Sequence, residues 1–158
     1  MSRGARAGDD IVDDDLNIGL LLFIPYRWLE NRVFAALAEA GYTDLTTAQM
    51  KLMQRIGPSS GTRLTELAEQ AQVTKQTAGY LVDHLETGGW VERVPDPTDG
   101  RARLVRLTPL AEQAIPIANA AVAEATAAWE AHLGTRQLAQ LRRALTSLRE
   151  ITDPYDRR

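Results

Sequence analysis

Residues 64–108 read LTELAEQAQVTKQTAGYLVDHLETGGWVERVPDPTDGRARLVRLT, and the order of elements in this stretch decides the fold. Apolar spacing predicts a short helix over about 65–71 and a second, N-capped by Thr74, running to about 87. Only Gln72-Val73 separates them, which leaves room for nothing but a tight turn. Gly88-Gly89 supplies a C-cap. Residues 90–94 and 103–107 then read as short strands, rich in β-branched and apolar side chains. The intervening loop, 95–102, carries an Asp99-Gly100 turn signal. Helix, tight turn, helix, strand, long loop and strand make a winged helix-turn-helix. Its second helix is shaped to enter a major groove, and the loop is the wing.

The two faces of the second helix agree with that assignment. Ala78, Leu81, Val82 and Leu85 point to a core, whereas Lys75, Gln76, Gly79, Tyr80 and Asp83 face solvent. At its N-terminal end, Thr74, Lys75, Gln76 and Thr77 offer short polar groups suited to base edges and phosphates. Tyr80 either touches DNA or covers its own helix. Gly79 either lets DNA approach the backbone or has no role. Arg101 sits near the loop tip with no core task. Arg103 and Arg106 either meet phosphates or face water, where Glu92 is an available partner.

Working outward, residues 1–12 are nearly devoid of apolar side chains and read as a disordered tail. Asp13, Asp14 and Asp15 suit a helix N-terminus, and from there to Ala40 the pattern is helical. Leu22, Tyr26, Leu29, Val33 and Leu37 form one stripe, but Leu21, Phe23, Ile24 and Trp28 lie off it. A helix apolar nearly all round needs cover on several sides, and a second copy of the chain is the economical source. Pro25 predicts a kink, and Gly41 ends the helix. Thr46 to Gln49 fit a capping box that opens a short helix to about 56. The loop over 57–61 lacks the residues of a phosphate cradle. Beyond Thr108-Pro109 an Ala-rich helix runs to about 133. Gly134-Thr135 breaks it, and Leu138, Leu141, Leu145 and Leu148 stripe a last helix that Asp153-Pro154 stops. The expected architecture is therefore mainly α with a small β wing. A single unit over 13–158 holds a winged helix-turn-helix at 46–108 between dimerisation helices at 13–40 and 109–152.

Composition narrows the chemistry. The chain has 158 residues, 44% of them hydrophobic and 25% charged, enough to build a core without staples. Cysteine is absent, which removes disulfides, Cys-ligated zinc, iron–sulfur clusters and thiol catalysis. His84 and His132 alone do not make a metal site, so no metal and no cofactor is expected. No nucleophile with its base, paired carboxylate motif or phosphate loop is visible, so the chain does not read as an enzyme. The apolar run from Leu20 to Ile24 is too short to span a bilayer and the N-terminus is acidic, which points to a soluble, cytoplasmic protein with no membrane partner. Net charge is −3. Residues 62–108 hold six basic against seven acidic side chains, while residues 93–106 hold four against two, so a DNA footprint would centre on the wing.

Leu64 to Ala68, Thr74 to Glu86 and Gly89 to Arg93 resemble the MarR family of bacterial transcription regulators. The wing Asp96-Pro97-Thr98-Asp99-Gly100-Arg101-Ala102, followed by Leu107-Thr108, is similar to that family's wing signature. The resemblance extends over residues 16–152. It implies a triangular homodimer that binds double-stranded DNA at a pseudo-palindromic operator, usually as a repressor. It also implies that Arg101 enters a minor groove while Asp99 steadies it; a narrow A·T-rich groove concentrates negative potential and attracts arginine. In this family small aromatic or amphipathic anions act as effectors between the dimer helices and the winged domain. Tyr26, Arg27, Trp28 and Trp129 could line such a cavity, or serve as core and interface aromatics. The lack of cysteine separates this chain from the family's peroxide-sensing branch. Gln72 departs from the glycine that such turns often carry, and Gly79 with Tyr80 replaces the basic or polar residues often found on the groove face. The alternative reading is a winged-helix module that docks another protein without binding DNA, which the acidic net charge favours.

Overall fold

A computed structural model of the chain describes residues 16–57 and 60–153. The tail expected over 1–12 and the acidic cluster at 13–15 lie outside the described residues. The first helix, α1 (Ile18–Glu39), starts where Asn17 Oδ1 accepts the Leu20 N–H at 3.1 Å. It runs through Pro25 without ending, so the proline costs one backbone hydrogen bond and leaves the helix continuous. The helix α2 (Thr47–Met53) opens with the expected capping box: Thr46 Oγ1 accepts the Gln49 N–H and Gln49 Oε1 accepts the Thr46 N–H.

A two-residue strand, β1 (Thr62–Arg63), leads into α3 (Leu64–Gln70) and α4 (Lys75–Thr87), followed by β2 (Val91–Asp96) and β3 (Asp99–Leu107). The sheet is antiparallel in the order β1-β3-β2, with Thr62 opposite Val105 and Glu92 opposite Arg106. Then come α5 (Pro109–Leu133), with Thr108 as N-cap and proline at its first position, and α6 (Thr135–Thr152). The winged helix-turn-helix and its flanking helices are thus present. The strand β1 is an addition, too short to stand out from the sequence.

The turn between α3 and α4 is a Schellman cap. The Val73 N–H donates to the Ala68 carbonyl and the Gln72 N–H to that of Glu69, with Gln72 at φ +54°. The same pattern ends α1 at Gly41 (φ +95°) and α4 at Gly89 (φ +77°), where glycine meets the left-handed backbone freely. Gln72 meets it with a Cβ, a cost of about 1–2 kcal/mol. Gln72→Gly is therefore expected to raise the unfolding free energy by about 1 kcal/mol, since glycine returns part of the gain as chain entropy. Urea denaturation at fixed protein concentration checks this; a loss of stability would mean that the Gln72 side chain offsets its own strain.

The core lies where α2, α3, α4 and the sheet meet. Leu52, Leu67, Val82 and Leu85 are fully buried, Val91 and Val105 close the sheet side, and Trp90 packs on Tyr42 with ring centroids 5.4 Å apart. Ala78, Val82 and Leu85 face inward as their spacing predicts. Gly79 does not face solvent fully. It is half-buried, and a methyl group there would lie 3.8 Å from Leu64 Cδ2, so this glycine abuts α3. Outside the winged unit, α5 packs along α1 and buries Ala121 and Ala125, and α6 leans on α5 with none of its own residues buried. Among the described residues no helix is long and apolar enough to cross a membrane.

Candidate nucleic-acid interface

The N-terminal turn of α4 is held by its cap. Thr74 Oγ1 accepts the Thr77 N–H at 3.1 Å and donates to Thr77 Oγ1 at 2.9 Å. Both threonines are exposed, yet their hydroxyls already serve each other, so their first task is to fix the end of the helix. Lys75 and Gln76 project beside them without a side-chain partner among the described residues. One turn on, Tyr80 is 63% exposed with its ring 4.4 Å from that of His84, edge to face. The tyrosine is thus exposed while its ring packs on the next turn of its own helix.

The wing turns earlier than the Asp-Gly signal predicts. Asp96 pairs with Asp99 across a two-residue turn, Pro97-Thr98, and Asp99 and Gly100 already belong to β3. The reason is the Asp96 carboxylate, only 6% exposed. Its Oδ1 accepts the Thr98 N–H at 2.8 Å and the Thr98 hydroxyl at 2.7 Å. Its Oδ2 accepts from Arg63 Nε at 2.8 Å and lies 2.6 Å from Arg63 Nη2. One carboxylate thus closes the turn and ties it to β1. These bonds, the Thr98 hydroxyl first, the Thr98 amide next and Arg63 after them, pull the Asp96 carboxyl down to about 2.

A carboxyl depressed in the folded state lends stability that is complete above its ordinary range and is lost as pH falls through about 2. The wing turn is therefore expected to stay fixed throughout the neutral and mildly acid range. The protection factor of the Thr98 amide should hold between about pH 7 and 5, and fall about tenfold in Asp96→Asn. Hydrogen exchange followed by NMR measures both. An unchanged protection factor in the variant would overturn the assignment.

The arginines of the winged unit divide sharply. Arg63 is spent on Asp96. Arg93 pairs with Asp83 at 2.6 Å and with Glu86, fastening the wing strand to α4. Arg106 pairs with Glu92, its cross-strand neighbour, at 2.7 Å, with both side chains exposed. Lys75, Arg101 and Arg103 remain exposed and without an ionic partner among the described residues. Asp99 does steady Arg101, but through the backbone: its Oδ1 accepts the Arg101 N–H at 3.1 Å, and the guanidinium is left unengaged. Sequence reasoning missed the Arg63–Asp96 tie, because nothing local links residues 33 positions apart.

The four residues considered for an effector cavity have different surroundings. Trp28 and Trp129 pack on each other between α1 and α5, with centroids 6.1 Å apart, and Arg32 lies over Trp28. Arg27 lies over Phe23 of its own helix. Tyr26 lines a polar cavity of about 390 Å³ together with Lys51, Arg55 and Gln72. Its phenol donates to Glu30 at 3.1 Å; burial first and this carboxylate second raise its pKa. On the other side of α2 lies a second cavity of about 460 Å³, bounded by α1, α5 and the end of β3 and lined chiefly by aliphatic side chains. No cluster of three or more metal-ligating side chains occurs among the described residues.

Comparison with known proteins agrees with this geometry. The MarR family model matches residues 45–102. The transcriptional regulator HosA of Escherichia coli O111:H- is 38% identical over 80 residues, 48% of this chain and 59% of HosA. The multiple antibiotic resistance protein MarR of Salmonella typhimurium is 35% identical over 104 residues, 66% of this chain and 70% of that protein. A Mycobacterium tuberculosis MarR family protein, solved in complex with salicylic acid, superposes with a TM-score of 0.61 at 31% identity, covering 85% of this chain and 98% of that one. The matched segment of 45–102 holds both the capped recognition helix and the wing that leaves Arg101 free, and the chain belongs to the MarR family, whose members are transcription regulators rather than enzymes.

Proposed function

We propose that the protein is a homodimeric, sequence-specific DNA-binding repressor of a pseudo-palindromic operator, released by a small-molecule effector. The observation that carries this reading is the division of the cations. Of the six between residues 62 and 108, Arg63, Arg93 and Arg106 are paired internally, while Lys75, Arg101 and Arg103 stand without an ionic partner among the described residues, at the start of the recognition helix and on the wing. Charge spent on folding holds the wing in place, and charge left over sits where a duplex would meet it. This explains how a chain of net charge −3 can bind DNA: the local field, not the overall balance, faces the phosphates.

In this reading Lys75 and Arg103 neutralise phosphates, Gln76 and Tyr80 meet base edges, Thr74 and Thr77 order the helix end, and Arg101 enters the minor groove. Dimerisation is supported by the apolar side chains that a single copy leaves uncovered on α1, among them Leu21, Phe23 and Ile24, each more than 40% exposed. The effector is supported by the salicylic acid bound to the M. tuberculosis relative and by a cavity at the junction of the flanking helices and the winged unit.

Fluorescence anisotropy with labelled DNA from the intergenic region beside the gene tests the reading, with scrambled DNA as control. The expected result is saturation at one dimer per site, a clear preference over scrambled DNA and a steep loss of affinity with salt. Equal, salt-insensitive affinity for both DNAs would overturn it and favour a protein-docking module.

A further inference from the structure

Arg93 does more than fasten the wing strand. Its guanidinium reaches from β2 between two carboxylates of α4: Nη2 lies 2.6 Å from Asp83 Oδ1, and Nη1 pairs with Glu86 Oε2. Its backbone N–H also donates to Glu86 Oε1, at 3.3 Å. The two acids stand one turn apart on the same helix, so they repel each other unless a cation lies between them. The Asp83 side chain is 68% exposed and follows Gln76 and Tyr80 at helical spacing, on the stripe proposed to meet base edges. It stands two turns, about 10 Å, beyond Gln76. A charge is felt over about that distance at 0.1 M salt, so a duplex seated on Gln76 brings its phosphates within range of Asp83. With His84 neutral, α4 has only Lys75 to set against these two acids, and by itself would present net negative charge to a polyanion.

We propose, resting on the DNA-binding reading, that Arg93 is a positioning residue of the interface that touches no DNA. It holds Asp83 and Glu86 to the wing strand and cancels their charge, so that the far end of the recognition helix does not repel phosphates. Arginine suits the task because its planar fork meets both carboxylates at once. Both acids are exposed, and exposed pairs add little to folding stability, which leaves the charge of α4 as their main consequence. Arg106 differs, because the acid it holds, Glu92, lies on the sheet and outside that stripe.

The test is a double-mutant cycle in the full-length protein, read by anisotropy with labelled duplex from the intergenic region beside the gene. Arg93→Met is expected to weaken binding about tenfold at about 0.05 M salt and by less at about 0.2 M, because salt screens the freed carboxylates. Adding Asp83→Asn and Glu86→Gln together should raise affinity about tenfold in the Arg93→Met background, but less than about threefold in the unaltered protein. Arg93→Lys keeps the charge and should stay within about threefold of the unaltered protein. A tie needed only for geometry gives the opposite pattern. The neutral triple variant, which lacks the tie, would then remain as weak as Arg93→Met, with a deficit that salt does not shrink. That pattern would overturn the proposal, as would equal gains from the paired substitution in both backgrounds. Circular dichroism follows the fold, and an unfolded Arg93→Met would also overturn it, by making the pairs a requirement of folding. An unaltered protein that shows no preference over scrambled DNA overturns the DNA-binding reading itself, whereas normal binding with a flat cycle overturns the role of Arg93 alone.

Discussion

Arg101→Ala is expected to weaken operator binding by about 100-fold near physiological salt and to lower the slope of log K against log salt by about 2. The guanidinium has no partner among the described residues, and Asp99 holds only its backbone N–H, at 3.1 Å. The wing turn behind it is fixed by Asp96, so the arginine is offered from a rigid base rather than a loose loop. A contact of this kind is worth roughly 1–2 kcal/mol, and a dimer makes it twice. Arg106→Ala is the matched control: that arginine is already bound to Glu92, and removing it should leave the salt slope nearly unchanged. Gln76→Ala should act differently again, relaxing preference among operator variants more than it lowers affinity overall. Anisotropy titrations at several salt concentrations, with operator and single-base variants, separate the three. An Arg101→Ala slope and affinity equal to those of the unaltered protein would remove the wing from the interface.

Most of the fold was legible because it is governed by near neighbours. Apolar spacing and caps mark all six helices, and Thr46, Thr74 and Thr108 are N-caps in the structure as in the sequence. The wing was harder. Asp99-Gly100 carries the stronger local turn signal, yet Asp96 captures the Thr98 amide and hydroxyl and closes the hairpin two residues sooner. Arg63, on a strand too short for any periodicity, holds the same carboxylate through its other oxygen. The interface was legible by residue type but not by availability. Arg93, Arg101, Arg103 and Arg106 look alike in the sequence, and only the positions of Asp83, Glu86 and Glu92 reveal which are spent. The cavities were the least legible part. Aromatic side chains suggested a pocket, but Trp28 and Trp129 fill the space between two helices, whereas the apolar cavity arises where aliphatic side chains from three helices fail to meet. A void has no signature in a one-dimensional pattern.

Leu145→Glu should split the proposed homodimer, weakening association by at least about 100-fold while leaving each copy helical. The argument begins with α6, which has an apolar stripe and no buried residue in a single copy. Leu141, Leu145 and Leu148 are 39%, 41% and 43% exposed, and they follow the helical spacing that a covered face requires. In a two-fold interface one substitution enters twice, so two carboxylates would be buried without partners, at a penalty of several kcal/mol per ion in a dry contact. Leu145 contributes nothing to the core centred on Leu52, Leu67, Val82 and Leu85, so the winged unit itself should be spared. Sedimentation velocity over a range of concentrations measures the association, and circular dichroism checks that the helices survive. Operator binding should collapse to a weak, half-site level. Two recognition helices must sit about one DNA turn apart, ~34 Å, and neither copy alone can span that distance. A Leu145→Glu protein that sediments as the unaltered dimer and binds the full operator as tightly would place the dimer interface elsewhere.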